Sequence, residues 1–244
     1  MQPLRTTREY YKQHIDGIAL KQLPKSFQDF VELSHGIGID YVWIDSLCII
    51  QDDKQDWHSE AEMMGSVYSN AALVVAAAGA SDSTQGLFIT ERSRHYVYRM
   101  PLGPRCARAV LNIATLSDHP YKLAPWLSPL NSRGWVLQEW YLARRILFCM
   151  QRGLSWECET LETAEGGKRM PLRSYAKRCW YEILRSYTEK DLTYPSDRIT
   201  ALRGIVDSLQ QTRDDKFIYE YGVWSDELHE QLLWRQYKLG TNEE

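Results

Sequence analysis

Residues 41–79 read YVWIDSLCIIQDDKQDWHSEAEMMGSVYSNAALVVAAAG, and their pattern indicates the fold class. A dense apolar run leads to Asp45, an acidic loop follows, and an amphipathic helix then precedes a second apolar run. This order is typical of two buried parallel strands joined by a helix, with polar groups at the carboxyl end of the first strand. We therefore predict strands at 39–45 and 73–78 in one parallel sheet, joined by a helix that Asp56 caps.

Outward from this unit, helical and extended patterns continue along the chain. Together they predict an α/β fold: a mostly parallel sheet with flanking helices, an added β-hairpin and a helical C-terminal part. We predict a core of residues 1–165 and a helical extension of residues 166–244. The further predicted elements are a helix at 24–36, a strand at 107–114, a helix at 133–142, a hairpin of strands 146–150 and 154–158, and helices at 172–187, 196–209 (with Ser196 as N-cap) and 225–239.

Composition limits the classes of partner and the cellular address. The chain has 244 residues, 44% of them hydrophobic and 25% charged, which suits a folded protein. Its formal net charge of -3 gives no general attraction to nucleic acid or to an anionic membrane. Five widely spaced cysteines without a CxxC pair argue against a disulfide framework or a metal site. With no secretory signal and no apolar run of spanning length, we expect a cytoplasmic protein.

Glu139 is the leading candidate for a catalytic residue. It follows Trp135 by one helical turn, so the indole can shield the carboxylate from water and raise its pKa. Arg133 could hold an anionic group such as a phosphate, and Gln138 lies on the same short helix. A plain ion pair of Arg and Glu, with Trp135 in the core, is the alternative that composition alone favours.

Asp45 is the second candidate position, because ligands of open α/β sheets gather beyond the carboxyl ends of strands. A ligand contact by Asp45 and a simple turn cap remain equally open. Cys48 nearby is expected to be a small buried apolar residue. The acidic loop around Asp52 lacks the glycine and the distal glutamate of an EF-hand, so we predict no calcium site there.

Seven segments, in this order, resemble the fungal heterokaryon incompatibility (HET) domain. The resemblance runs from about Gly17 to Trp234. It implies a cytosolic effector of non-self recognition in filamentous fungi, an innate immune function whose activation triggers growth arrest and programmed cell death. The segments read LPKSFQDFVEL, YVWIDSLCIIQDD, MMGSVYSNA, LVVAAAGASDSTQGLF, RGWVLQEWYLARRILF, SYTEKDLTYPSDRITALRGI and YGVWSDELHEQLLW.

The HET family has been likened to TIR domains, which have a flavodoxin-like parallel fold, and some TIR domains cleave nicotinamide from NAD with a helical glutamate. Trp135 and Glu139 match that pattern, so the resemblance implies a TIR-like NAD hydrolase with Glu139 as the catalytic residue. Trp135 would stack or exclude water, Arg133 would meet the pyrophosphate, Asp45 would orient a ribose, and Gln138 would contact substrate. NAD would be a substrate and not a cofactor. The expected partners are further copies of the chain or other incompatibility proteins.

One departure from the family bears on activity. HET domains usually begin with a strand such as YVALSYCWG upstream of the LPKSF segment, where this chain has MQPLRTTREYYKQHIDGIAL. We therefore expect a sheet that lacks this central first strand. The alternatives to an enzyme are a signalling module that acts through oligomerisation, or a truncated, inactive member of the family.

Overall fold

The computed structural model describes residues 4–88, 125–151, 153–164, 168–169 and 179–231. Its α-helices are α1 (Tyr11–Asp16), α2 (Lys25–Gly36), α3 (Asp45–Cys48), α4 (Lys54–Asn70), α5 (Gly134–Leu142), α6 (Trp180–Thr188), α7 (Arg203–Gln210) and α8 (Leu228–Gln231). Its strands are β1 (Val74–Ala76), β2 (Arg145–Met150), β3 (Gly153–Cys158), β4 (Glu162–Ala164), β5 (Lys168–Arg169), β6 (Phe217–Ile218) and β7 (Val223–Trp224). None of the helices in these ranges is long and apolar enough to cross a membrane.

The starts of α2 and α4 follow from local chemistry. Helix α2 begins directly after Pro24, as predicted, because proline suits the start of a helix. Helix α4 begins after Asp53, whose carboxylate accepts hydrogen bonds from two N–H groups of the first turn. The prediction that Asp56 caps α4 is therefore wrong, because the extended backbone that a cap needs is found at Asp53. Asp56 instead accepts the N–H of Ile50 at 2.7 Å.

The main sheet is mixed, with strands in the order β1-β2-β3-β4-β5. Strands β1 and β2 are parallel, and Val75 lies opposite Leu147. The pairs from β2 to β5 are antiparallel, which confirms the predicted hairpin. The prediction of a mostly parallel sheet is wrong for the described residues, because the short loops between β2, β3 and β4 cannot make the long crossover that parallel strands require.

Residues 39–44 form no regular secondary structure, so the prediction of a first strand at 39–45 is wrong. The chain turns into α3 at Asp45. The backbones of Tyr41, Val42 and Trp43 make no hydrogen bond to any described residue. A strand exists only through pairing, and β1 pairs with β2 instead of with this segment. The predicted strand at 73–78 is confirmed in its central residues as β1.

Within residues 179–231, the chain is less helical than predicted. Two 3-10 turns, Pro195–Arg198 and Thr200–Leu202, replace the first half of the helix expected at 196–209. The second half of that range is α-helical, as α7. Ser196 is thus not an N-cap, because Pro195 with its fixed φ starts a tight turn there. The β6–β7 hairpin was not predicted. The strand predicted at 107–114 lies outside the described residues.

One hydrophobic cluster joins the sheet to helices from both halves of the chain. Phe148 of β2 packs edge-on against Trp140 of α5, with ring centroids 5.0 Å apart. Ile205 of α7 is fully buried in the same cluster. Helices α4 and α7 meet at two glycines: a Cβ on Gly65 would lie 2.9 Å from the Cα of Gly204. These contacts fix α5 against α4 and α7.

Candidate functional site

A cavity of about 630 Å³ lies between α2, the irregular segment 39–44, α4, β1 and α5. Its volume falls within the range of small-molecule sites. Most of its wall is apolar, and the charged side chains that line it are Asp45, Arg133 and Glu139. Three of the residues that the sequence singled out therefore share one cavity.

Glu139 projects from the middle of α5 into this cavity. Burial raises the pKa of its carboxyl to about 7, with a further upward contribution from the negative charge of Asp45. The positive charge of Arg133 and the hydroxyl of Tyr68 act in the opposite direction. A tight ion pair with Arg133 would lower this pKa below its ordinary value. The net upward shift of the pKa therefore argues against the ion-pair alternative. It favours a desolvated carboxyl that gains or loses a proton near neutral pH.

Arg133 and Asp45, the other two charged residues of the cavity, each lie at the start of a helix. Arg133 is the residue before α5, so its side chain sits at the start of that helix, and it remains exposed at the cavity wall. Asp45 begins α3, where its carboxylate accepts the N–H of Ser46 at 2.7 Å. This local bond supports the turn-cap interpretation of Asp45, while its place in the cavity wall keeps the ligand-contact interpretation open.

Tyr68 is a member of this site that the sequence interpretation missed. It lines the same cavity as Glu139, and its ring packs edge-on against Trp43, with ring centroids 5.8 Å apart. Burial and the neighbouring carboxylates raise its pKa well above the ordinary value, so Tyr68 stays a neutral hydrogen-bond donor. The sequence does contain a signal for Tyr68. It lies near the end of α4, on the same helical face as the buried residues, and carries a polar hydroxyl.

Trp135 and Gln138 lie outside the cavity lining. Trp135 packs edge-on against Trp57 of α4, with ring centroids 6.3 Å apart. Gln138 is only 1% exposed, and its side-chain oxygen accepts the N–H of Gly204 at 2.7 Å. The structure therefore places both residues where they hold α5 against its neighbours.

The start of α5 is also anchored by the C-terminal half of the chain. Arg133 and Asp191 form an isolated parallel β-bridge. The N–H of Gly134 donates to the Asp191 carbonyl at 2.7 Å, and the Asp191 N–H donates to the Ser132 carbonyl at 2.7 Å. The nearby Lys190 is buried and donates through its ammonium group to the side chain of Asn131 at 2.8 Å. These bonds set the direction in which α5 enters the site.

Replacement of Glu139 by Gln is expected to change how stability depends on pH. The folded pKa of about 7 lies above the ordinary value of 4.5, so the folded state binds this proton more tightly than the unfolded state. Stability of the natural protein is therefore lost as the pH rises from about 4.5 through 7. Gln does not ionise, so Glu139→Gln should be more stable than the natural protein at pH 8, by up to about 3 kcal/mol.

Denaturant unfolding at pH 5 and pH 8 measures this difference. The advantage of the Gln variant should shrink to below about 1 kcal/mol at pH 5, where the natural carboxyl is largely protonated when folded. An equal difference at both pH values would mean that Glu139 is not a desolvated carboxyl.

Comparison with known proteins gives one finding. A family model described as heterokaryon incompatibility protein (HET) matches residues 3–139, which is more than half of the chain. No curated protein and no solved structure matches the chain. The matched region ends at Glu139, so it includes the cavity-lining residues of α2, α4 and β1.

Proposed function

Because the chain belongs to the heterokaryon incompatibility (HET) family, we propose that it is an effector of non-self recognition in fungi whose activation leads to cell death. We further propose that it acts by hydrolysing the bond between nicotinamide and ribose in NAD. The observation that carries the enzymatic part is Glu139, a desolvated carboxyl in the wall of a cavity of ligand size.

The proposed chemistry needs a carboxylate more than a strong acid. The bond between the ribose C1′ and the nicotinamide nitrogen breaks, and its electron pair leaves with the nitrogen, which loses its positive charge. The ionised Glu139 stabilises the oxocarbenium ion that develops at C1′. Water then adds to C1′ and releases one proton, so the products are nicotinamide, ADP-ribose and a proton.

The neighbouring side chains supply binding and orientation in this proposal. Arg133 binds the pyrophosphate, because it is the cationic residue that lines the same cavity as Glu139. Asp45 accepts a hydrogen bond from a ribose hydroxyl. Tyr68 donates to Glu139 and holds its carboxyl in place. Trp135 and Gln138 contribute indirectly, through the packing of α5.

The rate of nicotinamide release is expected to rise with pH. The ionised form of Glu139 is the active one, and its pKa of about 7 means that its ionised fraction grows about tenfold between pH 6 and pH 8. Nicotinamide release by purified, concentrated protein over that range measures the effect. A rate that falls with rising pH would instead assign Glu139 the role of a general acid.

Three finer statements belong to the same proposal. The parallel β1–β2 pair, with α5 leading into β2, supports a TIR-like, flavodoxin-like origin of the sheet. We propose action in the cytoplasm, and activation through contacts with further copies or with other incompatibility proteins. A non-enzymatic signalling module is the second candidate, and the apolar character of most of the cavity wall favours it.

A further inference from the structure

The charged side chains of the cavity do not balance one another. Asp45 and Glu139 bring carboxyl groups to its wall, and Arg133 brings a guanidinium. While Glu139 is protonated, the charges of Asp45 and Arg133 cancel. When Glu139 is ionised, two negative charges face one positive charge, and the wall keeps a net negative charge. One positive charge on a ligand would restore neutrality, which matters because charges interact strongly where water is scarce.

Without a ligand, a proton on Glu139 provides this balance. The groups that act on Glu139 are Asp45 of α3, Tyr68 of α4 and Arg133 before α5. Burial, together with the charge of Asp45, raises the pKa of Glu139 to about 7, against the lowering effects of Arg133 and the Tyr68 hydroxyl. A bound cation favours the ionised carboxylate. The proton and the cation therefore oppose each other's binding by the same factor.

The walls of the cavity indicate which kind of cation fits. Aromatic side chains from α2, segment 39–44, α4 and α5 line it, and aromatic rings attract organic cations. These side chains are Phe27, Phe30, Tyr41, Trp43, Tyr68 and Trp140. A metal ion would instead need several oxygen, nitrogen or sulfur ligands, and no group of three His, Cys, Asp or Glu side chains in the described ranges could hold one. The cavity therefore suits a flat organic cation better than a metal ion.

We propose that the cavity takes up an aromatic ring with one positive charge in exchange for the proton of Glu139. The proton leaves the carboxyl for solvent, and the ring lies beside the carboxylate without a covalent bond to it. This inference rests on the proposed function, which brings the pyridinium ring of NAD to the same cavity. It adds that the cavity discriminates by charge, so a neutral ring of similar shape, such as that of reduced NAD, binds more weakly.

Binding of 1-methylnicotinamide to the whole chain tests this exchange. The probe carries a permanent positive charge, and nicotinamide is its neutral control of nearly the same shape. Calorimetric titration should show that the Kd of the probe falls about tenfold from pH 6 to pH 8, because the ionised fraction of Glu139 grows by that factor. The Kd of nicotinamide should stay constant. An equal change for both rings, no change for the probe, or no binding of the probe at millimolar concentration would overturn the proposal.

The released proton can be counted directly. Titrations at pH 7 in PIPES and in TES differ by the heat with which each buffer takes up a proton. Because Glu139 is about half protonated at this pH, we expect about half a proton released for each bound probe. Binding of the probe without proton release would contradict the exchange.

A pair of variants assigns the proton to Glu139. Glu139→Gln has no proton to exchange, so its Kd for the probe should not depend on pH. Glu32→Gln is the matched control, because Glu32 is an exposed carboxylate outside the cavity lining, and it should keep the tenfold change. A pH dependence that survives in Glu139→Gln, or that disappears in Glu32→Gln, would place the exchanged proton elsewhere and overturn the proposal.

The exchange and the hydrolase proposal can fail separately. The methyl group of the probe is not held by a glycosidic bond, so binding of the probe requires no cleavage. Exchange at Glu139 without nicotinamide release from NAD would support the charge selection and contradict the hydrolase. Nicotinamide release from NAD, together with pH-independent binding of the probe, would leave the hydrolase and overturn the charge selection.

Discussion

Glu139→Gln is expected to lower the rate of NAD hydrolysis by about 10²- to 10³-fold, the usual cost of removing one preorganised electrostatic stabiliser. Gln keeps the shape of the side chain but cannot carry the negative charge that the oxocarbenium ion requires. Nicotinamide release by the purified proteins measures the loss. The matched control is Glu32→Gln, because Glu32 is an exposed carboxylate of α2 that does not line the cavity.

Two results would separate the enzymatic proposal from its alternative. Turnover that is equal in the natural protein and in Glu139→Gln would remove Glu139 from the chemistry. Cell death that persists on expression of Glu139→Ala, with a constant NAD concentration, would favour the signalling module. Unfolding of each variant by denaturant shows whether a lost activity reflects a lost fold.

The largest expected loss of stability is that of Gly79→Ala. Gly79 follows β1 and crosses the end of β2, where its N–H donates to the Cys149 carbonyl at 2.7 Å. A Cβ there would lie 2.2 Å from the backbone nitrogen of Gln151 and 2.5 Å from the carbonyl carbon of Met150. These atoms belong to the sheet and cannot move alone, so we expect a loss of about 3 kcal/mol or more.

Thermal unfolding of Gly79→Ala measures this effect, and Gly36→Ala is its control. At Gly36 a Cβ would meet no atom within 4 Å, so alanine should be neutral or slightly stabilising at this helix end. For a chain of this size, 3 kcal/mol corresponds to a fall in Tm of about 6–12 °C. A Tm for Gly79→Ala within about 2 °C of the natural value would show that the β1–β2 junction can rearrange.

The elements that the sequence predicted well are those whose signal is local. Helix α2 is marked by Pro24 and Gly36, and the hairpin of β2 and β3 by a short loop between two apolar runs. The segment 39–44 failed for the opposite reason. Its composition suits a buried strand, but strand formation depends on a partner far along the chain, which no local pattern reveals.

The candidate site was also predicted only in part, because some of its residues have a local signal in the sequence and others do not. Position after an apolar run and beside a tryptophan pointed to Asp45 and Glu139, and both line the cavity. Tyr68 was missed because helical spacing alone does not distinguish a residue that lines a cavity from one that packs in the core. Gln138 was assigned to substrate because a buried amide on a short helix looks the same in sequence whether it meets a ligand or the N–H of Gly204.

The bridge between Arg133 and Asp191 has a practical consequence for anyone who trims this chain. A fragment that stops where the family match stops would retain the candidate carboxylate and discard both the Asp191 backbone and the Gly204 N–H that aim its helix. The residues after the family match therefore hold α5 in place. Protein made to test the site should contain both the matched region and these later residues.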